Sequence, residues 1–247
     1  MPSYSIQVTN KSRETQHFML FQSIPVPTAV PSEQCFMNVF QLSVAVEGNA
    51  DDSATFEFED SYYALYGTKV SDPSGKARIN TSSSRGPVAL GPKGTYKVIT
   101  TDNNDGVSPK WDEKAAEGKS TEGAGQFTIS TDGSFNNNPK TNIYIGVGAK
   151  SPSTGKVVPI QTYPAHPNTV VPMQPQVKYY ICFGKFLPGT LVKAMELGKV
   201  LMVDFSNSKK DKPVSAAFTL QQNNAYTADD QSSLDADGTT WKFEQAA

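Results

Sequence analysis

Apolar residues recur at every second position along this chain, in short runs separated by turn signals. Tyr4, Ile6 and Val8 alternate with Ser5, Gln7 and Thr9. Phe40, Leu42, Val44 and Val46 alternate with Gln41, Ser43, Ala45 and Glu47. Phe56 and Phe58 alternate with Glu57 and Glu59, and Ile143, Ile145 and Val147 with Tyr144 and Gly146. A strand sends successive side chains to opposite faces, so each run has one face for a core and one for water. Antiparallel sheets with one wet side are built this way. Residues 62–66, 179–183 and 200–205 are apolar on both faces and read as central strands, or as strands whose outer face meets something.

Further strands are predicted at 17–22, 96–101, 126–131, 157–163, 216–221 and 241–244. Asp72-Pro73-Ser74-Gly75, Gly91-Pro92-Lys93-Gly94, Asn104-Asp105-Gly106, Asp132-Gly133 and Asp237-Gly238 punctuate them. Helix is confined to 111–117, which starts after Ser108-Pro109 and stops at Gly118, and to a turn at 190–197. The predicted fold class is all-β: an antiparallel β-sandwich with little helix, either one elaborated sandwich or two packed small ones. The expected organisation is a single β-sandwich domain over 1–247, with 102–125 as the place where a subdivision would fall. Three long segments interrupt the rhythm, 23–37, 102–125 and 164–175. Loops of that length often carry function. The proline-rich pair, 23–37 and 164–175, also fit extended crossings between sheets, which is the favoured reading.

Function is constrained mainly by scarcity. The chain has two histidines, His17 and His166, and two cysteines, Cys35 and Cys182. A Cys₂His₂ zinc site would need all four to converge. A serine triad would need one of the two histidines, and no Gly-x-Ser-x-Gly elbow supplies its serine. Phosphate-loop and His-Glu-x-x-His motifs are missing too, so no cofactor and no metal are expected. His166 is braced by Pro164 and Pro167, which would hold an imidazole in place for a base or ligand role; a solvated loop histidine is the plainer alternative. His17 reads as an edge residue and Cys182 as a buried thiol. A Cys35–His166 dyad is conceivable, but no family signature surrounds the cysteine.

Carboxylates gather at Glu57, Glu59 and Asp60, at Asp102 and Asp105, at Asp229 and Asp230, and at Asp235 and Asp237. Such pairs serve glycoside hydrolysis or calcium binding, but Asp235-Ala236-Asp237-Gly238 lacks the glycine offset and closing Glu of a calcium loop. Solvated turn acids are the better reading. Net charge is −2, which argues against a nucleic-acid partner. No apolar run approaches a membrane span of about 20 residues. The first eight residues carry no basic segment or apolar stretch, and the cysteines show no disulfide spacing, so a cytoplasmic protein with both thiols reduced is expected. The sequons at Asn10 and Asn80 would matter only after secretion.

Aromatic residues are plentiful, with 13 Phe, 10 Tyr and 2 Trp. Tyrosine joins an apolar ring to one polar handle, which suits sugar faces and flat organic ligands, although the same rings could simply fill a core. The candidate ligand-binding residues are His166, Tyr163, Tyr63, Tyr66 and Tyr180, placed where 164–175 would meet 62–66 and 179–183. The favoured function is a non-catalytic binding or interaction module for a small-molecule or carbohydrate ligand. A cofactor-free β enzyme (a cyclase, an isomerase or a carbohydrate-active enzyme) using His166 or a carboxylate pair is the first alternative. A membrane-active, toxin-like β protein is the second.

Overall fold

The computed structural model describes residues 3–49, 52–102, 108–135, 142–209 and 212–246. Its described strands form four sheets and its helices are short, so the fold is all-β. One four-stranded sheet runs in the order Tyr226–Ala228, Val214–Leu220, Ser3–Asn10, Ser53–Glu59. Here the alternation does what the sequence requires: Tyr4, Ile6 and Val8 are buried while Ser5, Gln7 and Thr9 face outward. That outer face is a lattice of small polar groups, with the Ser5 hydroxyl donating to Ser215 Oγ at 2.8 Å and Gln7 Nε2 to Ser53 Oγ at 3.0 Å.

Its inner face packs on a five-stranded sheet ordered Thr240–Gln245, Lys199–Asp204, Lys178–Phe183, Phe18–Gln22, Gln41–Leu42. Rings interlock between the two sheets: Phe58 and Tyr179 lie 4.0 Å apart, Tyr4 and Phe205 5.1 Å, Phe218 and Trp241 5.3 Å. The five-stranded sheet is covered on both sides, as its two-faced apolar strands predict. Tyr179, Ile181, Leu201 and Val203 join the main core, while Tyr180, Cys182, Val200 and Met202 join a second one with Met19, Phe21 and Met37.

The six-stranded sheet is ordered Leu191–Val192, Phe36–Asn38, Val157–Pro164, Ile143–Lys150, Tyr62–Ser71, Ala77–Ser83. Its first and last strands meet again: Arg78 bridges to Thr190, the Ile79 N–H donates to Gly189 O at 3.3 Å, and the Arg78 guanidinium donates to Pro188 O. The sheet is thereby rolled closed. One face packs into the main core through Ile143, Ile145, Val147 and Tyr163. The opposite face holds Leu65 and a polar pair, Thr162 donating to Asn38 Oδ1 at 3.0 Å. Gly146 makes the tight curvature possible, because a Cβ there would stand 2.0 Å from the Gln161 carbonyl oxygen.

The fourth sheet is ordered Val170–Met173, Phe127–Thr131, Tyr96–Thr101, Pro109–Trp111. Among the described strands two pairings are parallel, Ser3–Asn10 with Val214–Leu220 and Phe127–Thr131 with Tyr96–Thr101, and the others are antiparallel. The long segments prove partly structured. Residues 170–173 add an edge strand, paired Ile129 to Val171, and 102–125 contributes the strand Pro109–Trp111 and the helix Glu113–Ala116. The Asn104-Asp105-Gly106 turn lies outside the described residues. The strand expected over 40–46 shrinks to Gln41–Leu42, because Ser43 Oγ takes the Phe18 N–H at 2.9 Å in place of a ladder carbonyl. An unanticipated helix, Gln231–Asp237, is capped by Asp230, which accepts the Ser233 N–H at 3.0 Å, and stopped by left-handed Gly238.

Candidate functional site

The residues singled out from the sequence fall in separate places. Tyr66, Ile145 and Tyr163 form one cross-strand row on the core face of the six-stranded sheet. Tyr163 is buried, and its hydroxyl has no hydrogen-bond partner. Tyr63 pairs with Gly148 and points to the sheet's other face. Tyr180 belongs to the five-stranded sheet and the second core, with Ser23 Oγ 3.4 Å from its hydroxyl. His166 does connect two of the long segments, since its Nε2 lies 2.8 Å from Gln34 Oε1. Burial pushes the neighbouring Cys35 thiol up to about 12, which favours its protonated form over the nucleophilic thiolate.

The acidic pairs are largely occupied by structural roles. Asp230 caps a helix, Asp229 accepts from the Thr219 hydroxyl at 2.7 Å, Asp235 accepts from Gln231 at 2.7 Å, and Asp237 pairs with Lys212 at 2.9 Å. Among the described residues no three of His, Cys, Asp and Glu come together as metal ligands. A buried group of tyrosines, Tyr4, Tyr62 and Tyr179, lies near Asp60. Burial first, and the Asp60 carboxylate second, keep the Tyr4 and Tyr62 hydroxyls protonated well past neutral pH; burial does the same for Tyr179.

Two of the clefts on the described surface have the size of ligand sites. The first, about 700 Å³, lies between Tyr4 and Phe58 and the turn at Ser151–Pro152, with Glu57, Glu59 and Lys150 at its rim. It borders the first described residue. The second, about 670 Å³, is lined by Arg85, Val88, Thr95, Lys97, Trp111 and Glu113, with Gly86 and Pro87. Both volumes fall in the range of small-ligand sites, about 300–1,000 Å³.

The second cleft is built where the fourth sheet meets the rolled one. The Val88 N–H donates to Tyr62 O and the Ala89 N–H to Thr95 Oγ1, each at 2.8 Å, so segment 84–89 is pinned to both sheets. Pro109 opens a short edge strand, a position where its missing N–H costs no ladder bond. That strand pairs Trp111 with Ile99 and so puts the indole on the face that also carries Lys97. Tyr66 meets Trp111 edge-to-face at 5.0 Å, and Lys97 Nζ lies 5.9 Å from the indole centroid on a cation–π path. Asp112 caps the helix Glu113–Ala116 through the Ala115 N–H at 2.9 Å, which fixes Glu113 against Lys97 with Nζ–Oε distances of 3.0 and 2.9 Å. The Trp111 indole N–H is buried and has no acceptor. That nitrogen is closed off from solvent, so Trp111 meets the cleft through its other atoms.

Sequence reading found Tyr66 but not Trp111, Lys97 or Arg85, which are far apart in the chain and share no motif. No curated protein and no solved structure shows significant similarity to the chain. The family model described as RhiA, in contrast, matches residues 1–231 of the 247, and the chain belongs to the RhiA family.

Proposed function

We propose that this RhiA-family protein is a non-catalytic binding module, and that it holds a small organic or carbohydrate ligand in the cleft beside Trp111. The observation that carries this reading is a cleft of about 670 Å³ that brings Trp111 together with the charged side chains of Arg85, Lys97 and Glu113. An apolar ring gives a ligand contact area, and a few fixed polar groups orient it. The catalytic inventory near it is thin: neither histidine lines the cleft, and neither do Cys35 and Cys182. Tyr66 packs edge-to-face against the indole. Calorimetric titration with a panel of mono- and disaccharides and small aromatic compounds tests the reading. A panel member should bind to the native protein and lose at least ten-fold in affinity to Trp111→Ala, with the fold intact by circular dichroism. Binding that is indifferent to Trp111 would move the site elsewhere, and turnover of a bound panel member would replace a binding module with an enzyme.

A further inference from the structure

We infer that the Trp111 cleft selects ligands bearing a carboxylate, and that Glu113 occupies the place such a carboxylate takes. The inference rests on the binding reading given above. It starts from the sign and occupancy of the polar groups. Arg85 and Lys97 are cations in the lining. Arg85 has no ion-pair partner among the described residues. The one carboxylate in the lining, Glu113, already gives both oxygens to Lys97 at 3.0 and 2.9 Å. The lining therefore carries two cations against one carboxylate. A neutral polyol gains little from that imbalance, whereas a carboxylate makes charge-assisted hydrogen bonds with both cations.

Glu113 is suited to yield. Its side chain is 67% exposed against 20% for Lys97, so it returns to water when displaced, while the lysine stays over the indole. A pair this exposed contributes little to stability, so a ligand carboxylate that also meets Arg85 competes well for Lys97. The Asp112 cap anchors the backbone beneath Glu113, so exchange needs only a side-chain rotation. Two sources of such a ligand share this chemistry, an aromatic carboxylic acid and a uronic acid.

The test uses matched pairs in a Trp241→Phe background, which leaves Trp111 as the sole indole reporter. Phenylacetate is compared with phenylacetamide, and D-glucuronate with D-glucose, by fluorescence titration at low ionic strength. The charged member of one pair should bind at least ten-fold tighter than its neutral partner, and which pair responds identifies the source. Lys97→Met and Arg85→Gln should each erase most of that preference. Glu113→Gln should tighten carboxylate binding several-fold and leave the neutral partner unchanged. Equal binding of the two members of each pair, still dependent on Trp111, would overturn the carboxylate inference and leave the binding module standing. The absence of any Trp111-dependent binding across both pairs and the wider panel would overturn both. Weaker carboxylate binding in Glu113→Gln would show that Glu113 supports the ligand instead of competing with it.

Discussion

Tyr66 and Tyr163 stand in one cross-strand row, separated by Ile145, and meet opposite surroundings. Tyr163 is buried beside Cys35 with a hydroxyl that bonds nothing. Tyr66 is half-buried and meets the indole of Trp111 beside a cleft with two cations. The sheet gives both the same direction, so what lies over the sheet separates them: the main core covers Tyr163, and the short edge strand Pro109–Trp111 covers Tyr66. Aromatic abundance in a β protein is therefore an ambiguous sign of a binding surface. Most of these rings close the space between sheets, and the candidate site arises where one of them meets an indole beside two cations.

The comparison can be broken most severely at Tyr163. Replacing it with alanine should cost about 3–5 kcal/mol in denaturant unfolding, the range for a large buried ring, while Tyr66→Ala should cost clearly less. Tyr163→Phe should be neutral or stabilising, because it removes a buried hydroxyl without a partner. Equal losses at 66 and 163 would mean that the two surroundings are energetically alike. A second test targets the rolled sheet that carries the row. Gly146→Val would push its side chain against the Gln161 carbonyl and should lower stability by about 1–3 kcal/mol, measured as a fall in the thermal midpoint.

A smaller effect is expected at the cleft. Asp112→Ala removes the cap of the helix carrying Glu113 and should cost about 1 kcal/mol. It should also loosen the Lys97–Glu113 pair, visible as greater salt sensitivity of the Trp111 emission. The smallest effect at neutral pH concerns the thiols. Burial pushes Cys35 and Cys182 up to about 12, above the ordinary thiol value, so the native state favours the protonated forms. Their contribution is complete below about pH 8.5, the unfolded value, and is lost as pH rises from there toward 12. Stability measured between pH 7 and 11 should thus fall on the alkaline side, and folded protein should resist iodoacetamide at pH 8. Fast labelling of Cys182 would contradict its burial.

Much of the architecture was legible because period two is enforced locally. Tyr4, Ile6 and Val8 had to share a face, and the doubly apolar 179–183 had to be covered on both sides. Asp230 and Gly238 are an ordinary helix start and stop around Gln231–Asp237, but the same acids and Asp-Gly pair also fit turn chemistry, so local rules alone leave that segment open. The strand Val170–Met173 was hidden among prolines, which an edge strand tolerates. Parallel pairing of Ser3–Asn10 with Val214–Leu220 had no local signature at all, since its partners are some 210 residues apart in the chain.

By itself, the sequence determined that this chain is built of strands with turns between them, and which side of most strands is apolar. Backbone pleating converts alternation into faces without reference to anything distant. Only the tertiary structure decided which faces meet, that the six-stranded sheet rolls until Arg78 reaches Thr190, and that Tyr66, Lys97, Arg85 and Trp111 gather around one cleft. Those outcomes depend on pairings between residues remote in the chain, and alternation specifies a side chain's direction but not its partner.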